Sequence, residues 1–309
     1  MTRLVGIFKS KNIIMKSFSF TADELQTGRR LDAVLTEKYG DFSRSQWSKQ
    51  LKLGLVKIDG KLAKSSDKIK FEAKIDGKFP VLETNSLIAP ASQPEIIFED
   101  SNVIVINKPA GLVAHPTAKL SQPSVAGAFL DKIVDSDLLR PGIVHRLDKD
   151  TSGVMILARN EATKDFLQAQ FKDRKVKKIY TALVLGHLDR ETARIELPLE
   201  RSKKNPEKMM VSSSGKMAVS EYRLVAEYPG YSLIEVELLT GRTHQIRAHF
   251  AHIGNPIAGD RLYGKQILPA GLDRQFLHAS LLSLEVAKDE KMTFKAPLAK
   301  DLKVFLGGL

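Results

Sequence analysis

The densest polar stretch in the chain is His145-Arg146-Leu147-Asp148-Lys149-Asp150-Thr151-Ser152-Gly153, set just before the apolar run Val154-Met155-Ile156-Leu157-Ala158. A carboxylate among cations is held in its charged form, because a neighbouring positive charge lowers a carboxyl pKa. An ionised Asp on a loop held by a core strand can serve as a nucleophile or a base. The same residues could equally make an ion-paired turn with Thr151 and Ser152 capping its amides. Taken alone, the loop does not choose between these readings.

Other chemistries fail on composition or spacing. The chain has no cysteine, which excludes a disulfide scaffold, a thiolate zinc site, an iron–sulfur cluster and a cysteine nucleophile. His244, His249 and His252 share one helical stretch. They lack the His-Glu-x-x-His pattern and a nearby acidic ligand, so His249 and His252 are expected to pack or to hydrogen-bond within the helix. Neither a Gly-x-x-x-x-Gly-Lys phosphate loop nor a Gly-x-Gly-x-x-Gly fingerprint is present.

The elements that must position the loop follow from the hydrophobic pattern. A chain of 309 residues predicts about two domains. Val103–Ile106, Val154–Ala158, Tyr180–Leu185 and Tyr231–Leu238 read as strands, and Glu161–Phe171 and Thr243–His252 as helices. Strands come in runs rather than in alternation with helices, which favours α+β over a doubly wound sheet. Nearer the N-terminus, Met15–Phe20 alternates like a strand, and Gly28–Leu35 carries apolar residues at helical spacing. Ser43-Arg44-Ser45 then precedes a helix closed by Gly54, and Leu55–Lys61 enters an Asp59-Gly60 hairpin turn. Thr84–Pro94 has the composition of a linker. Met15 could be a second start, which would make residues 1–14 an N-terminal extension.

Charge separates the two regions. The formal charge is +12, and residues 1–80 hold 17 Lys/Arg against 9 Asp/Glu, so that region alone carries +8. Such asymmetry points to a basic N-terminal unit with a polyanionic partner. No apolar run approaches the roughly 18 residues of a membrane span. The first residues, Met1-Thr2-Arg3-Leu4-Val5-Gly6-Ile7-Phe8-Lys9, reach charge too soon for a signal peptide. The expected compartment is the cytoplasm.

Two resemblances sharpen this picture. Arg30-Leu31-Asp32, Ser43-Arg44-Ser45 and Gly54-Leu55-Val56-Lys57-Ile58-Asp59-Gly60 resemble the pattern of the small RNA-binding domain named after ribosomal protein S-four. The loop at 145–153 resembles the His-Arg-Leu-Asp-x-x-Thr-Ser-Gly signature of RluA-type pseudouridine synthases. Asn107–Pro116, Lys178–Gly186, Gly241–His249, Gly259–Gly264 and Leu277–Ala279 match further family blocks in family order. Stretches between Leu197 and Ala218 resemble the branch that modifies large-subunit ribosomal RNA.

The resemblance implies an α+β catalytic domain, with a mixed, largely antiparallel β-sheet flanked by helices and a central cleft, over residues 95–309. A small α/β RNA-binding domain over 15–83 and a linker over 84–94 would precede it. It implies RNA as partner, with large-subunit ribosomal RNA favoured and transfer RNA as the alternative, a monomer, and neither DNA nor membrane. A non-catalytic RNA-binding or ribosome assembly factor that keeps the fold is the rival. Isomerising uridine to pseudouridine gains and loses no atoms, so no cofactor is expected. By the resemblance Asp148 is the catalytic carboxylate and Arg247 its partner. Such a pair at about 4 Å is worth roughly 4 kcal/mol at an effective dielectric of 20. Tyr180 would lie against the target base. Arg146 would fill the gap left by an extruded nucleotide or hold a phosphate, and Asn107 and Lys108 would line the same cleft. Asp150 is the rival carboxylate, at a variable position of the signature. The cationic run Lys172–Lys178 reads as a phosphate track towards Tyr180.

Overall fold

The computed structural model describes residues 13–39, 44–82, 87–116, 122–135, 137, 140–264 and 268–309. Two compact units divide the chain. The first is N-terminal through Ile88, and the second runs from Ala89 onward apart from the short stretches 116–122 and 136–141. Residues 1–12 of the expected extension, 84–86 of the expected linker, residue 83 before it and Ser43 of the expected helix cap lie outside the described residues.

The first unit contains β1 (Ile13–Thr21), α1 (Leu31–Lys38), α2 (Arg44–Lys52), β2 (Val56–Ile58), β3 (Lys61–Leu62) and β4 (Lys74–Leu82). Its antiparallel sheet has the order β1-β4-β2-β3. Asp59 and Gly60 have φ of 47° and 76°, the pair of left-handed residues that joins twisted strands by a two-residue hairpin. The two helices and the sheet enclose Leu31, Leu35, Trp47, Ile75 and Phe79. Rings of Phe18 and Phe79 lie 5.6 and 5.3 Å from Trp47. The expected helix from Gly28 begins at Leu31 instead. Gly28 takes φ of 76° and donates its N–H to Ile69 O, which turns the chain before the helix can start. The motif residues meet physically here: buried Asp32 receives Arg30 at 2.9 Å and Arg44 at 3.1 Å. Hydrogen bonding from Arg30, then from Arg44, holds its carboxyl below the usual range.

The second unit contains β5 (Glu95–Glu99), β6 (Val103–Lys108), α3 (Val125–Ala128), β7 (Ser152–Ala158), α4 (Glu161–Lys172), β8 (Lys177–Leu185), β9 (Thr192–Arg201), β10 (Met209–Val211), β11 (Lys216–Tyr228), β12 (Tyr231–Leu238), α5 (Gln245–His252), β13 (Leu277–Ala287), β14 (Glu290–Lys295) and α6 (Lys300–Leu306). Its sheet runs β10-β9-β11-β12-β8-β13-β7-β6-β5, with β14 beside β13. All of these pairs are antiparallel except β7 with β13, so the sheet is mixed and largely antiparallel, as expected. Among the described residues no helix is long and apolar enough to cross a membrane.

The continuous apolar runs lie in β6 from Val103 to Ile106 and in β7 from Val154 to Ala158. Every residue of β7 is buried, because it lies mid-sheet with its neighbours on both sides. Strands β9 and β11 lack that signal. Their outer residues are tied across the sheet by ion pairs, such as Arg194 with Glu221 at 3.1 Å and Arg223 on β11 with Glu235 on β12 at 2.7 Å. A face of alternating charge satisfies a half-exposed strand but leaves no apolar run to read. At the parallel junction Gly153 has φ of 121°, and a Cβ there would stand 2.2 Å from Ala279 O. The signature glycine therefore lets β7 and β13 approach just after the polar loop.

Candidate active site

The polar loop is held from four directions before β7. Leu147 is buried, so the side chains on either side of it, Arg146 and Asp148, turn away from the core. Beneath the loop, the ammonium of Lys108 donates to Pro109 O and Leu112 O at 2.8 Å each and to Lys149 O at 3.0 Å. Burial pulls its pKa to about 7. Three carbonyls, one for each N–H, act in the opposite direction and hold the group as the ammonium rather than the amine. The imidazole of His145 stacks on Phe171 at 4.7 Å, and its Nε2 accepts Ile156 N–H at 3.0 Å. Burial and then Lys178 lower its pKa to about 3, which leaves the ring neutral. On the far side, Arg274 donates to Asp150 O at 3.0 Å and to Ser152 Oγ at 3.1 Å. Asp301 of α6 grips the same guanidinium at 2.6 and 2.9 Å.

On this platform Asp148 meets Arg247 of α5, with Nη1 at 3.1 Å from Oδ2. The other two nitrogens of Arg247 take Asp260, Nε at 2.7 Å and Nη2 at 2.9 Å. The Asp260 side chain is fully buried and also accepts the N–H groups of Leu262 and Tyr263 at 2.9 and 3.0 Å. Burial alone would lower the guanidinium pKa. Asp260 and then Asp148 outweigh it, and the pKa stands above its ordinary value. The Tyr263 ring lies 5.1 Å from Arg247 Cζ, a cation–π contact. His244 approaches the same carboxylate oxygen, with Nε2 at 3.7 Å. Among the described residues, Oδ1 of Asp148 makes no hydrogen bond.

Two cavities flank this carboxylate. One, of about 60 Å³, has Tyr180 in its wall, together with Arg146, Asp148, His244 and Arg247. The other, of about 220 Å³, is bounded by Val113, Arg146, Asp148, Asp150, His244 and Gln275. Tyr180 stands on β8 between β12 and β13, opposite Val236 and Ala279. Burial first and the Asp148 charge second raise its pKa, so the phenol keeps its proton.

The fold thus brings Asp148, Tyr180, Arg247 and exposed Arg146 to one place. It does not bring Asn107 and Lys108 to the cleft. Asn107 pairs with Glu95 at 3.1 Å on the neighbouring strand, and neither residue lines the two cavities around Asp148. Lys108 is fully buried, and its three N–H groups are consumed by carbonyls, so its place is under the loop rather than against a ligand. The run 172–178 is not uniformly exposed either: Lys178 is buried with its pKa lowered by desolvation, and Lys177 pairs with Glu237 at 3.4 Å. His249 sits between Ser220 Oγ at 3.1 Å and Leu197 O at 3.2 Å, bonded to neighbouring strands rather than within its helix. Asp260, Tyr263, His244 and Arg274 are members of the site whose roles sequence reasoning did not find; of these only His244 was weighed individually, as a metal ligand. The blocks Gly259–Gly264 and Gly241–His249 contained the first three, but nothing in their order reveals which side chains converge.

Comparison with known proteins supplies the wider setting. A family model described as RNA pseudouridylate synthase matches residues 102–252, and one for the S4 domain matches residues 29–75. An RNA pseudouridine synthase of Bacillus subtilis is 34% identical over 300 residues, spanning 96% of this chain and 99% of that protein. The ribosomal large subunit pseudouridine synthase D of Xanthomonas campestris is 39% identical over 299 residues, spanning 91% and 89%. Among solved structures, human RNA pseudouridylate synthase domain containing 4 superposes with a TM-score of 0.56 at 25% identity, covering 69% of this chain and 92% of that one. With relatives matched over nearly their whole length, an S4 domain ahead of the α+β unit and an ion-paired Asp on the signature loop, this chain belongs to the RNA pseudouridine synthases, isomerases that act on RNA.

Proposed function

We propose that the enzyme isomerises uridine in large-subunit ribosomal RNA and that Asp148 is the carboxylate that reacts. The observation that carries this is the unequal treatment of its two oxygens: Arg247 holds Oδ2 at 3.1 Å, while Oδ1, beside two cavities, has no hydrogen bond among the described residues. A carboxylate fixed at one end and free at the other is what a nucleophile or base needs. The N1–C1′ bond breaks, the base turns, the C5–C1′ bond forms, and the proton leaving C5 is balanced by the one that N1 gains. No atom is added, so beyond the reacting carboxylate of Asp148 the residues supply orientation and charge. Tyr180 keeps its proton and offers a ring face and an O–H to the base. A stacked uridine cannot reach Asp148, so it must be extruded, and Arg146, exposed beside both cavities, is placed to fill its gap or hold a phosphate.

In this scheme the basic S4-containing region, residues 15–83, recruits RNA, and residues 95–309 carry out the bond chemistry. Ribosomal RNA is favoured because relatives matched end to end bear that substrate in their names. That substrate also supports a cytoplasmic location, since bacterial ribosomal RNA is made there. The test is to map pseudouridine in cellular RNA with and without the gene, then to incubate purified enzyme with the RNA that changes. Loss of a site in large-subunit RNA, restored in vitro, is expected. Loss confined to transfer RNA would overturn the substrate, and release of free uracil or no product would overturn the reaction.

A further inference from the structure

Two side chains that this mechanism does not use, Tyr263 and His244, form a relay that ends at Asp148. His244 has φ of 52°, a left-handed backbone that side chains other than glycine adopt only where the surroundings hold them. The turn sets its imidazole between Asp148 and Tyr263, with Nε2 at 3.7 Å from Asp148 Oδ2 and Nδ1 at 3.1 Å from the Tyr263 hydroxyl. That hydroxyl oxygen accepts Met209 N–H at 2.6 Å, which leaves its own proton to donate to Nδ1. A neutral ring that accepts at Nδ1 carries its proton at Nε2, the nitrogen facing Asp148. Burial pushes the phenol up to about 12, helped by Asp260 and Asp148 and opposed by the Met209 N–H and Arg247, so the donor survives at any working pH. Burial also lowers the His244 pKa. Arg247 and Arg146 add to that effect, and Asp148 and Asp260 oppose it.

We propose that Tyr263 and His244 form a second positioning arm for Asp148. When RNA fills the two cavities, both of which His244 borders, Nε2–H closes onto Oδ2. It joins Arg247 on that oxygen and commits Oδ1 to the nucleotide. Active-site hydrogen bonds that are long in the free enzyme commonly tighten in the complex. This inference rests on Asp148 being the reacting carboxylate.

The test uses the full-length enzyme and the RNA identified by mapping. His244→Leu removes the donor, His244→Gln offers an amide N–H in its place, and Tyr263→Phe removes the group that sets the tautomer. Misplacement of a reacting group by about 1 Å costs on the order of 100-fold. Single-turnover rate in His244→Leu should therefore fall by about 10- to 100-fold with RNA affinity unchanged. His244→Gln should recover most of that rate, and Tyr263→Phe should lie between. Nitrogen-15 shifts of the His244 ring, assigned by difference from His244→Gln, should report the Nε2–H tautomer in the wild type and a mixture in Tyr263→Phe. An Nδ1–H tautomer in the wild type, full rate in His244→Leu or Tyr263→Phe, or equal loss in the Leu and Gln variants would each overturn the arm. Asp148→Asn separates the two levels. If that variant stays active, the premise has failed. If it is inactive while His244→Leu is fully active, only the arm has.

Discussion

Replacing Arg247 by lysine asks whether positive charge or the guanidinium fork matters at the centre of the site. The fork spans two carboxylates, at 2.7 and 2.9 Å from Asp260 and 3.1 Å from Asp148. Lysine has one nitrogen and cannot reproduce that span. The two carboxylates then compete for it unequally, since the Asp260 side chain is fully buried and that of Asp148 is 20% exposed. An uncompensated buried charge costs about 3–5 kcal/mol, so the ammonium should stay with Asp260 and release Asp148 to rotate. A loss of position near 1 Å corresponds to about 100-fold in rate, or roughly 2.7 kcal/mol in the barrier. The assay is tritium release from RNA carrying label at C5 of uridine, under single-turnover conditions with enzyme saturating, beside a salt titration of RNA binding. The expected result is a rate lower by about two orders of magnitude with affinity and salt slope unchanged. A wild-type rate in Arg247→Lys would refute the need for the fork. Arg247→Met should lose still more rate and also about 3–5 kcal/mol of stability, from the stranded Asp260. If that variant instead lost affinity in proportion to rate, with a salt slope smaller by about one unit, Arg247 would bind phosphate instead.

Three further outcomes are expected. Asp148→Asn should abolish isomerisation and leave RNA affinity within a few-fold, whereas Asp150→Asn should be much milder; product analysis by nucleoside chromatography checks both, and residual turnover above about one percent in Asp148→Asn would remove it from the reacting role. His145 has a folded pKa near 3 against 6.5 for the free imidazole, so between these values the unfolded chain binds a proton that the native one does not. Its contribution is therefore complete above pH 6.5 and is lost as pH falls towards 3, with a slope of at most about 1.4 kcal/mol per pH unit; denaturant unfolding should show that slope reduced in His145→Gln, and equal slopes would refute it. Deleting residues 1–83 should lower RNA affinity and flatten its salt dependence, by something near 0.9 units for each duplex phosphate that the region neutralises. The saturated single-turnover rate should survive, because Asp148, Tyr180 and Arg247 lie beyond the deletion; an unchanged slope with a lost rate would instead make the basic region part of the active site.

Local order in the chain was enough to determine a good deal of this protein. The apolar runs at Val103–Ile106 and Val154–Ala158 read as strands because they are only four or five residues long, rich in β-branched side chains and flanked by turn residues. Asp59-Gly60 is a hairpin turn because its left-handed conformations suit those two residue types. The signature loop was legible for the same reason: its polar residues are contiguous, and the strand that follows pins them. What order could not supply is convergence. Asp148, Tyr180, Arg247 and Asp260 are separated by 13 to 99 residues where they bond directly, and only the register of β8 between β12 and β13 brings the tyrosine beside the others. The family resemblance put Lys108 in the lining of the cleft, because its block directly follows the first apolar strand. The sheet buried it instead and gave its three donors three carbonyls, a decision taken by backbone geometry contributed by Pro109, Leu112 and Lys149. Likewise the helix pattern from Thr243 began two residues late, at Gln245, because His244 is held in a left-handed turn between Asp148 and Tyr263. Periodicity reports which face of an element is apolar. It cannot report which distant side chain will stand three ångströms away, because that distance is set by how whole elements pack.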